Sequence, residues 1–307
     1  MFYASFLMKM KNNIFYTEDD ARCYIEKING ACIKGLSLRQ LASIDLTINS
    51  GAKTVHELAC DHAKFSKFLL EHNLVNSIYV SDISIGPVKR AEANLSAYIN
   101  DDRLSLFQAD GLDGHFINSS DLIVMTGLGA FTVIDILKKV RLEQVHVDEK
   151  GRTKVFLLIQ VQSRELELFN VLKVLQLKLI DEYLIHESAF LYHAKLYEID
   201  DFIGFLQRLA DVPSPFEGDR ISMNFYDFLA REKYNVRDFL FALWNYESLS
   251  YLDEFELKLI YRYCYKFVKY YSALTRGRFS QESKKYFEDN VQELENVISF
   301  LQARSRM

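Results

Sequence analysis

Apolar and polar positions follow a regular rhythm between residues 36 and 205. A helix is predicted over 36–48, because Leu38, Leu41, Ile44 and Ile48 fall on one helical face. Short apolar runs then predict strands at 54–58, 77–81, 104–108, 121–125 and 155–159, and amphipathic stretches predict helices at 64–71, 86–99, 130–139 and 165–175. Strands that alternate with helices in this way indicate a parallel sheet covered on both faces.

The pattern changes after the last of these helices. Runs at 177–185 and 191–199 predict two closing strands, which we interpret as an antiparallel pair. Beyond Pro213-Ser214-Pro215, glycine nearly vanishes and apolar residues recur every three or four positions. The segments 252–274 and 287–301, linked through Arg276-Gly277-Arg278, therefore predict an antiparallel helical hairpin of coiled-coil type.

These patterns predict an α/β fold: a Rossmann-like domain at 36–205, a helical domain at 213–307, and an N-terminal extension at 1–35. The 307 residues agree with two domains at about 150 residues each. The extension matches no clear template apart from one short helix within 19–28. Its role and the true start among the early methionines stay open.

Composition narrows the classes of function. The net charge of −5 is unlike that of a dedicated nucleic-acid binder, so any RNA contact must come from a local patch. Four cysteines without C-x-x-C spacing predict neither a zinc site nor disulfides, which fits a reducing cytoplasm. No stretch approaches the roughly 20 apolar residues of a membrane span, so we expect no membrane partner.

Candidate chemistry follows the first four predicted strands, each of which ends in an acid or a glycine. These groups are Glu57 and Asp61, then Asp82, then Asp110-Gly111, then the run Thr126-Gly127-Leu128-Gly129. Taken singly, each has an ordinary explanation as a helix cap, a turn or a packing glycine. Together they predict a ligand crevice, because the carboxyl ends of parallel strands share one edge of the sheet.

The residue types suggest individual roles in such a crevice. Asp82 can accept hydrogen bonds from both ribose hydroxyls of an adenosine, and Asp110 can accept from an adenine amino group. Gly127 and Gly129 allow a flat substrate to approach the backbone closely. Cys60 is interpreted as a small core-facing thiol, and His62 as a turn or site residue rather than a metal ligand, so no metal is expected.

The motifs resemble those of the bacterial tRNA (adenine-22, ring nitrogen 1) methyltransferases. The family segment D-x-G-S-D-H-A is matched by 57–63, with Asp61, His62 and Ala63 intact. Further family elements are an acid followed by Gly-Pro, G-D-G-L, A-G-M-G-G and L-Q-P-N, matched here by Asp82 with Gly86-Pro87, by 109–112, by 126–130 and by 159–162. The matching motifs cover about half of the chain. The C-terminal part resembles the family only in its helical, coiled-coil-like character.

The resemblance implies S-adenosylmethionine as cofactor, tRNA as partner, and methyl transfer to ring nitrogen 1 of an adenine. It implies cofactor contacts from Glu57, Ala59, Asp61, His62, Asp82, Ile83, Asp110, Gly111, Thr126, Gly127 and Gly129. Among these we expect Asp61 to be the acid next to the reacting atoms.

Four positions depart from the family motifs. Glu57 replaces an aspartate, Ala59 and Ala130 replace glycines, and Val161 replaces a proline. The alanines at 59 and 130 leave a second hypothesis open, a catalytically degenerate member that binds RNA or protein. The acidic net charge leaves a third, a small-molecule methyltransferase.

The helical segment carries a candidate RNA surface. Lys258, Arg262, Lys266 and Lys269 fall within one narrow stripe of the predicted helix, beside its apolar face. Such a stripe can contact the phosphates of tRNA, although a solvated helix face is the ordinary explanation. The tyrosines at 261, 263, 265, 270 and 271 are interpreted as core and boundary positions rather than as an RNA-stacking platform.

Overall fold

The computed structural model describes residues 15–21, 35–188, 190–217, 220–232 and 254–304. Contacts among them divide the chain into two compact units. The sheet unit spans 15–165 and 175–211, and the helical unit holds 166–174 together with the described residues from 212 onward. The N-terminal extension lies outside the described residues, apart from a two-residue strand, one short helix and Gly35.

Eight strands form the main sheet. They are β1 (Phe15–Tyr16), β2 (Thr54–Leu58), β3 (Ser77–Asp82), β4 (Leu104–Gln108), β5 (Leu122–Gly129), β6 (Val155–Ser163), β7 (Lys178–Glu187) and β8 (Phe190–Ile199). Their order in the sheet is β1-β7-β8-β6-β5-β2-β3-β4. Strands β2 to β6 are mutually parallel, and β8 is antiparallel to both of its neighbours, β6 and β7. The predicted α/β fold and its antiparallel closing pair are confirmed.

Helices connect these strands. They are α1 (Glu18–Ala21), α2 (Leu38–Ser50), α3 (Lys64–Glu71), α4 (Ile85–Asn94), α5 (Ala130–Lys138), α6 (Glu165–Val174) and α7 (Phe202–Ala210). Helices α2, α3 and α4 contact one another in succession, whereas α5 contacts α7. The chain steps from β2 outward to β3 and β4, and then resumes at β5 on the other side of β2. Because parallel crossovers are right-handed, this reversal places the two groups of helices on opposite faces.

Because helices cover both faces of the sheet, the central strands consist of continuous apolar runs. The side chains at 122–125 of β5 and at 155–161 of β6 are all buried. A strand covered on one face only would alternate apolar and polar residues. The point of reversal lies between β2 and β5, whose carboxyl ends therefore border the crevice where sheets of this kind take their ligands.

Several elements differ from their predicted bounds, and two of the differences bear on the strand ends. The helix predicted over 86–99 ends at Asn94 and is followed by a 3-10 turn at Ser96–Tyr98. The side-chain amide of Asn94 donates to the carbonyl of His62, 2.7 Å away, so this residue serves a tertiary contact at the helix end. Strand β5 runs on to Gly129, because an irregularity in its pairing with β6 carries the glycine run along the sheet edge.

The helical unit contains α8 (Met223–Glu232), α9 (Glu254–Thr275) and α10 (Gln281–Arg304), after a small hairpin of β9 (Phe216–Glu217) and β10 (Arg220–Ile221). Helices α9 and α10 contact each other along their length, which confirms the predicted hairpin. Its buried seam includes Tyr263 and Phe267 of α9 and Phe287 and Leu294 of α10. Leu252, an apolar position at the start of the predicted segment 252–274, lies outside the described residues, as do the side chains of Phe255 and Leu301.

The predicted domain boundaries do not account for α6. Residues 166–174 group with the helical unit, although they lie between two strands of the sheet along the chain. Their polar side chains explain this: the Tyr226 hydroxyl donates to Glu167 at 2.9 Å, and Asn170 donates to the Tyr286 hydroxyl at 2.6 Å. These hydrogen bonds join residues far apart in sequence, so no local pattern indicates them.

Within the part of the chain that the structure describes, no helix combines the length and apolar character needed to cross a membrane.

Candidate active site

The loop after β2 has an unusual backbone. Ala59, Asp61 and Ala63 have φ angles of 54°, 43° and 47°, in the left-handed region. Residues other than glycine pay about 1–2 kcal/mol to adopt this conformation. The loop is held by the Ala63 amide, which donates to the Cys60 carbonyl at 2.7 Å, and by the Cys60 amide, which donates to Ser81 of β3 at 3.2 Å. Strain of this kind is found preferentially at functional sites.

Helix α4 fixes this loop from the side. Arg90 donates two hydrogen bonds to one carboxylate oxygen of Asp61, at 2.6 and 3.1 Å. One turn further on, Asn94 donates to the carbonyl of His62. The Asp61 side chain is still 62% exposed, and its second oxygen lies 3.8 Å from Nε2 of the neighbouring His62. Arg90 and Asn94 are site residues that the sequence analysis missed, although their spacing of four on the helix after Gly-Pro places them on one face.

Glu57 is buried more deeply than its predicted contact with a cofactor requires. Its carboxyl group is buried and accepts a short hydrogen bond from the hydroxyl of Ser66 on α3. Burial raises the pKa of Glu57 to about 7, with the Ser66 hydrogen bond opposing the shift. The side chain therefore supports the base of the loop, and direct contact with a ligand stays a prediction. Cys60 is also buried, and burial raises the pKa of its thiol to about 12, as expected of an unreactive core-facing cysteine.

A chain of buried polar side chains lies near the loop, and no local sequence pattern indicates it. The Ser81 hydroxyl is 2.9 Å from His115 Nε2, the two Nδ1 atoms of His115 and His56 are 3.0 Å apart, and His56 Nε2 is 3.1 Å from Asp121. One arrangement of protons satisfies every group: Ser81 donates to His115, His115 to His56, and His56 to the Asp121 carboxylate. Burial lowers the pKa of His115 to about 3, with His56 adding to the effect.

The end of β3 combines a carboxylate with exposed apolar surface. Asp82 accepts a hydrogen bond from the Ser84 amide at 2.9 Å through one oxygen. The Gln108 amide group donates to the Ile83 carbonyl at 2.8 Å and so ties this turn to β4. Ile83 and Ile85 are 61% and 52% exposed. A nucleoside fits this combination, because its ribose hydroxyls need an acceptor and its base needs an apolar surface.

The turn after β4 depends on a glycine. Gly111 has a φ of +63°, and a side chain there would bring its Cβ within 3.0 Å of Ile136 on α5. Both the backbone conformation and the packing therefore require glycine at this position. The preceding residue, Asp110, forms an exposed ion pair with Lys139 at 2.7 Å.

The end of β5 has the form of a β-bulge. Its pairing with β6 shifts between Thr126 and Leu128, and Gly127 between them has a φ of +80°. Bulges of this kind turn a strand end and are common beside active sites. A Cβ on Gly127 would lie 3.6 Å from the Gln162 side chain at the end of β6, and Gly129 immediately precedes helix α5.

The predicted groups meet at one edge of the sheet. Leu58 is paired with Ser81 on one side and with Met125 on the other, and Asp82 is paired with Gln108. Adjacent strands lie about 4.8 Å apart, so the four strand ends form one continuous rim. The tertiary structure brings together the segments that begin at Glu57, Asp82, Asp110 and Thr126. No group of acids, histidines and cysteines suited to a metal ion occurs among the described residues.

The predicted basic stripe belongs to the helical unit, whereas the rim belongs to the sheet unit. Lys258, Arg262, Lys266 and Lys269 are all exposed on α9. The Lys269 ammonium lies 5.0 Å from the ring centroid of Tyr265, which is stacked near-parallel to Tyr261 at 6.1 Å. Of the five tyrosines, Tyr263 and Tyr271 are buried and Tyr265 is exposed, whereas Tyr261 and Tyr270 are half-buried. The interpretation as core and boundary positions holds for all of them except Tyr265.

Comparisons with known proteins give one sequence family and a common fold. The profile of the family described as a methyltransferase domain matches residues 37–194, more than half of the chain. The candidate tRNA methyltransferase MG248 of Mycoplasma genitalium is 26% identical over 142 residues, which cover 46% of this chain and 59% of that protein. The chain thus spans less than two thirds of this relative's length.

Two solved structures share the fold over most of the chain. The structure of TrmK from M. capricolum, in complex with S-adenosyl-homocysteine, has a TM-score of 0.51 at 15% identity and covers 87% of this chain and 99% of that one. The structure of Streptococcus pneumoniae Sp1610, a candidate tRNA (m1A22) methyltransferase in complex with S-adenosyl-L-methionine, has a TM-score of 0.52 at 15% identity. It covers 86% of this chain and 99% of that one.

Proposed function

Because the chain belongs to the methyltransferase-domain family, we propose that it transfers a methyl group from S-adenosylmethionine to ring nitrogen 1 of adenine 22 in tRNA. The observation that carries this proposal is the meeting of four strand-end segments at one rim, led by Glu57, Asp82, Asp110 and Thr126. The named relatives and the motifs of the tRNA methyltransferases support the choice of substrate.

The rim fits the proposed cofactor on the contacts already described. Asp82 and the exposed Ile83 suit the ribose and the adenine of a nucleoside, and Asp110 offers an acceptor for an amino group. The strained loop at 59–63 would hold the amino-acid end of the cofactor. When bound, the cofactor supplies an electrophilic methyl group on a sulfonium.

The protein's own residues position the base and balance the charge that forms on it. Ring nitrogen 1 of adenine is already nucleophilic, so the protein mainly has to align it with the methyl group. Methylation leaves a positive charge on the base, which a nearby carboxylate stabilises. Asp61 is the candidate for this role, because Arg90 engages only one of its oxygens and the side chain remains exposed.

The helical unit is the proposed holder of tRNA. Its stripe, Lys258 with Arg262, Lys266 and Lys269, presents four exposed cations along about three turns of α9, which suits a run of phosphates. A base within the folded tRNA must be exposed before it reaches the rim, at a cost of a few kcal/mol by analogy with base flipping. We infer a cytoplasmic location from the proposed tRNA substrate, and the cysteine pattern supports it.

One assay tests the proposal directly. Purified protein is incubated with S-adenosylmethionine labelled in its methyl group and with total bacterial tRNA lacking this modification, and the labelled nucleoside is then identified and mapped. We expect label in 1-methyladenosine at position 22. Label elsewhere in tRNA would refute the position, and label only in small molecules would refute the substrate class.

A catalytically degenerate RNA-binding protein is the second candidate, and two observations favour it. Ala59 stands in a left-handed conformation where the resembled family has glycine, and Arg90 already pairs with Asp61. Calorimetry with S-adenosylmethionine, combined with the methylation assay above, separates the candidates. Cofactor binding without turnover on any tRNA would support the degenerate protein, whereas turnover excludes it.

A further inference from the structure

The hairpin between β7 and β8 carries aromatic surface at its tip. Phe190, the first residue of β8, is 63% exposed, and its ring centroid lies 6.2 Å from that of Tyr192 on the same face of the strand. Phe190 faces Glu187 across the hairpin, and Tyr192 faces Ile185. We call Phe190, Tyr192 and Arg39 the hairpin platform, because Arg39 from the first turn of α2 completes it.

Arg39 fixes the geometry of this platform. Its guanidinium carbon lies 4.4 Å from the ring centroid of Tyr192, and its Nε donates to Glu187 at 2.6 Å. The arginine therefore joins the helix to both strands of the hairpin and holds the Tyr192 ring in place. Phe190 projects beyond this support. An exposed phenylalanine at a hairpin tip contributes little to the core, where a small polar residue would serve equally well.

The hairpin platform stands on the same edge of the sheet as the candidate active site. Strand β7 runs parallel to β6, so its carboxyl end and the hairpin tip lie at the carboxyl edge. Thr126 is paired with Gln160, and Gln160 with Ala194, which lies four residues along β8 from Phe190. The backbones of Phe190 and Thr126 are separated by two strand spacings across the sheet and by four residues along a strand. Together these two components give a distance of roughly 17 Å. A short segment of single-stranded RNA spans such a distance.

We propose that the hairpin platform is a second nucleobase site, in which Phe190 stacks an unpaired base of the tRNA strand close to the methylated adenine. This inference rests on the proposed function, since it assigns a further contact of the same substrate. Exposed aromatic rings supported by arginine are the usual surface for stacking unpaired bases. A protein partner would need a larger apolar area than one ring and its neighbour provide. The stacked base would fix the strand that leads into the crevice and so position the target adenine.

Kinetics with four variants test the platform. Phe190→Ala and Phe190→Leu remove the planar ring, whereas Phe190→Trp keeps it. Base stacking on an aromatic ring contributes about 1–3 kcal/mol, so the first two variants should raise the KM for a tRNA transcript about 5- to 160-fold. Cofactor affinity should stay unchanged, and Phe190→Trp should retain the KM of the wild type. Phe116→Ala is the matched control, because Phe116 is 55% exposed near the amino end of β5, away from the carboxyl edge.

Fluorescence supplies a readout that does not depend on catalysis. Phe190→Trp adds a second tryptophan to a sequence that contains only Trp244. Titration with the tRNA transcript should quench its emission beyond the quench of the wild-type protein, because a stacked base quenches the indole. An unchanged KM in both ring-free variants, or no additional quench in Phe190→Trp, overturns the inference. If the proposed function itself is wrong, the wild-type protein will not methylate tRNA at all. This result is distinct from both outcomes for the variants.

Discussion

The rim of the sheet and the stripe on α9 are candidate sites of opposite construction. At the rim, four strands separated in sequence place a few polar groups side by side, and each is held by a specific contact such as Arg90 with Asp61 or Ser84 with Asp82. On α9, four cations follow one another on a single regular helix and all are exposed. The rim carries strained backbone and buried titratable groups, whereas the stripe carries neither.

This difference has consequences for the response of each site to mutation. A group held in one geometry for one reacting centre should be hard to replace, and its loss should be local and large. Exposed charges that meet phosphates should act nearly additively and respond to salt. Substitutions in the rim and in the stripe therefore test whether the two surfaces have separate roles.

The largest effect is expected at Asp61. Asp61→Ala should lower the turnover number about 100-fold, because loss of alignment at the reacting atoms has consequences of that size. Cofactor affinity should change much less, since the proposed role is confined to the reacting geometry. Steady-state kinetics with tRNA and calorimetry with the cofactor measure the two quantities. Asp113→Ala is the control, because it also removes an exposed carboxylate paired with an arginine, Arg141 at 3.1 Å. Equal losses in turnover and affinity would make Asp61 a binding residue.

The next effect concerns the cofactor. Asp82→Ala should weaken S-adenosylmethionine binding by about 1.5–3 kcal/mol, the usual contribution of hydrogen bonds to a charged group. Calorimetry gives the dissociation constant directly. Asp102→Ala, at an exposed acid ahead of β4, should leave binding unchanged. Wild-type protein that does not bind the cofactor at millimolar concentration would contradict the assignment of the rim itself.

The third effect concerns the pH dependence of stability and is expected in the sheet unit. All seven histidines of the sequence lie between residues 56 and 193. The pKa of His115 is about 3 in the folded protein, below its ordinary value near 6.5, so acid adds a proton to the unfolded chain first. Between pH 6.5 and 5 the contribution of His115 to the unfolding free energy should fall by about 2 kcal/mol. The buried Glu57 and Asp45, whose pKa values are raised to about 7, oppose this trend.

The effect of His115 is therefore measured as a difference. Denaturant unfolding of the wild type and of His115→Gln is compared at pH 7.5 and at pH 5. The variant should be less stable than the wild type at pH 7.5, and this gap should narrow at pH 5. A gap independent of pH would mean that His115 titrates normally in the folded protein.

A smaller effect is expected from the stripe. Arg262→Glu combined with Lys266→Glu should weaken tRNA binding and reduce its salt dependence by about one unit of slope for each lost phosphate contact. Cofactor affinity should not change. Lys150→Glu combined with Arg208→Glu makes the same change in net charge in the sheet unit and is the control. If the tRNA affinity and its salt dependence are unaltered in the stripe variant, the stripe is only a solvated helix face.

The smallest effect is expected from Ala59→Gly. Because Ala59 has a φ of 54°, glycine should relieve strain and stabilise the fold by about 1 kcal/mol. Thermal unfolding measures the change, and calorimetry shows whether cofactor affinity rises with it. Ala93→Gly, at an exposed position inside α4, should have the opposite sign and destabilise by about 1 kcal/mol. Destabilisation by both variants would show that the loop does not strain Ala59.

Local patterns by themselves determined most of the fold. The alternation of short apolar runs and amphipathic stretches predicted β2 to β8 and the helices between them, because burial on both faces of a parallel sheet imposes that rhythm. The spacing of three and four predicted α9 and α10, and it also placed Lys258 and Arg262 on one exposed face. Helical periodicity is a property of consecutive residues, so a surface built on one helix can be read from the sequence.

The tertiary structure decided what depends on distant partners. The burial of Glu57 beside Ser66, the pairing of Asp61 with Arg90 and the buried link from Ser81 through His115 to His56 all join residues on different elements. The grouping of α6 with the helical unit has the same origin. Sequence order predicted which residues reach the rim, because the carboxyl ends of parallel strands share an edge. It did not predict which atoms meet there, because side-chain contacts between elements arise only when the sheet and its covering helices are packed together.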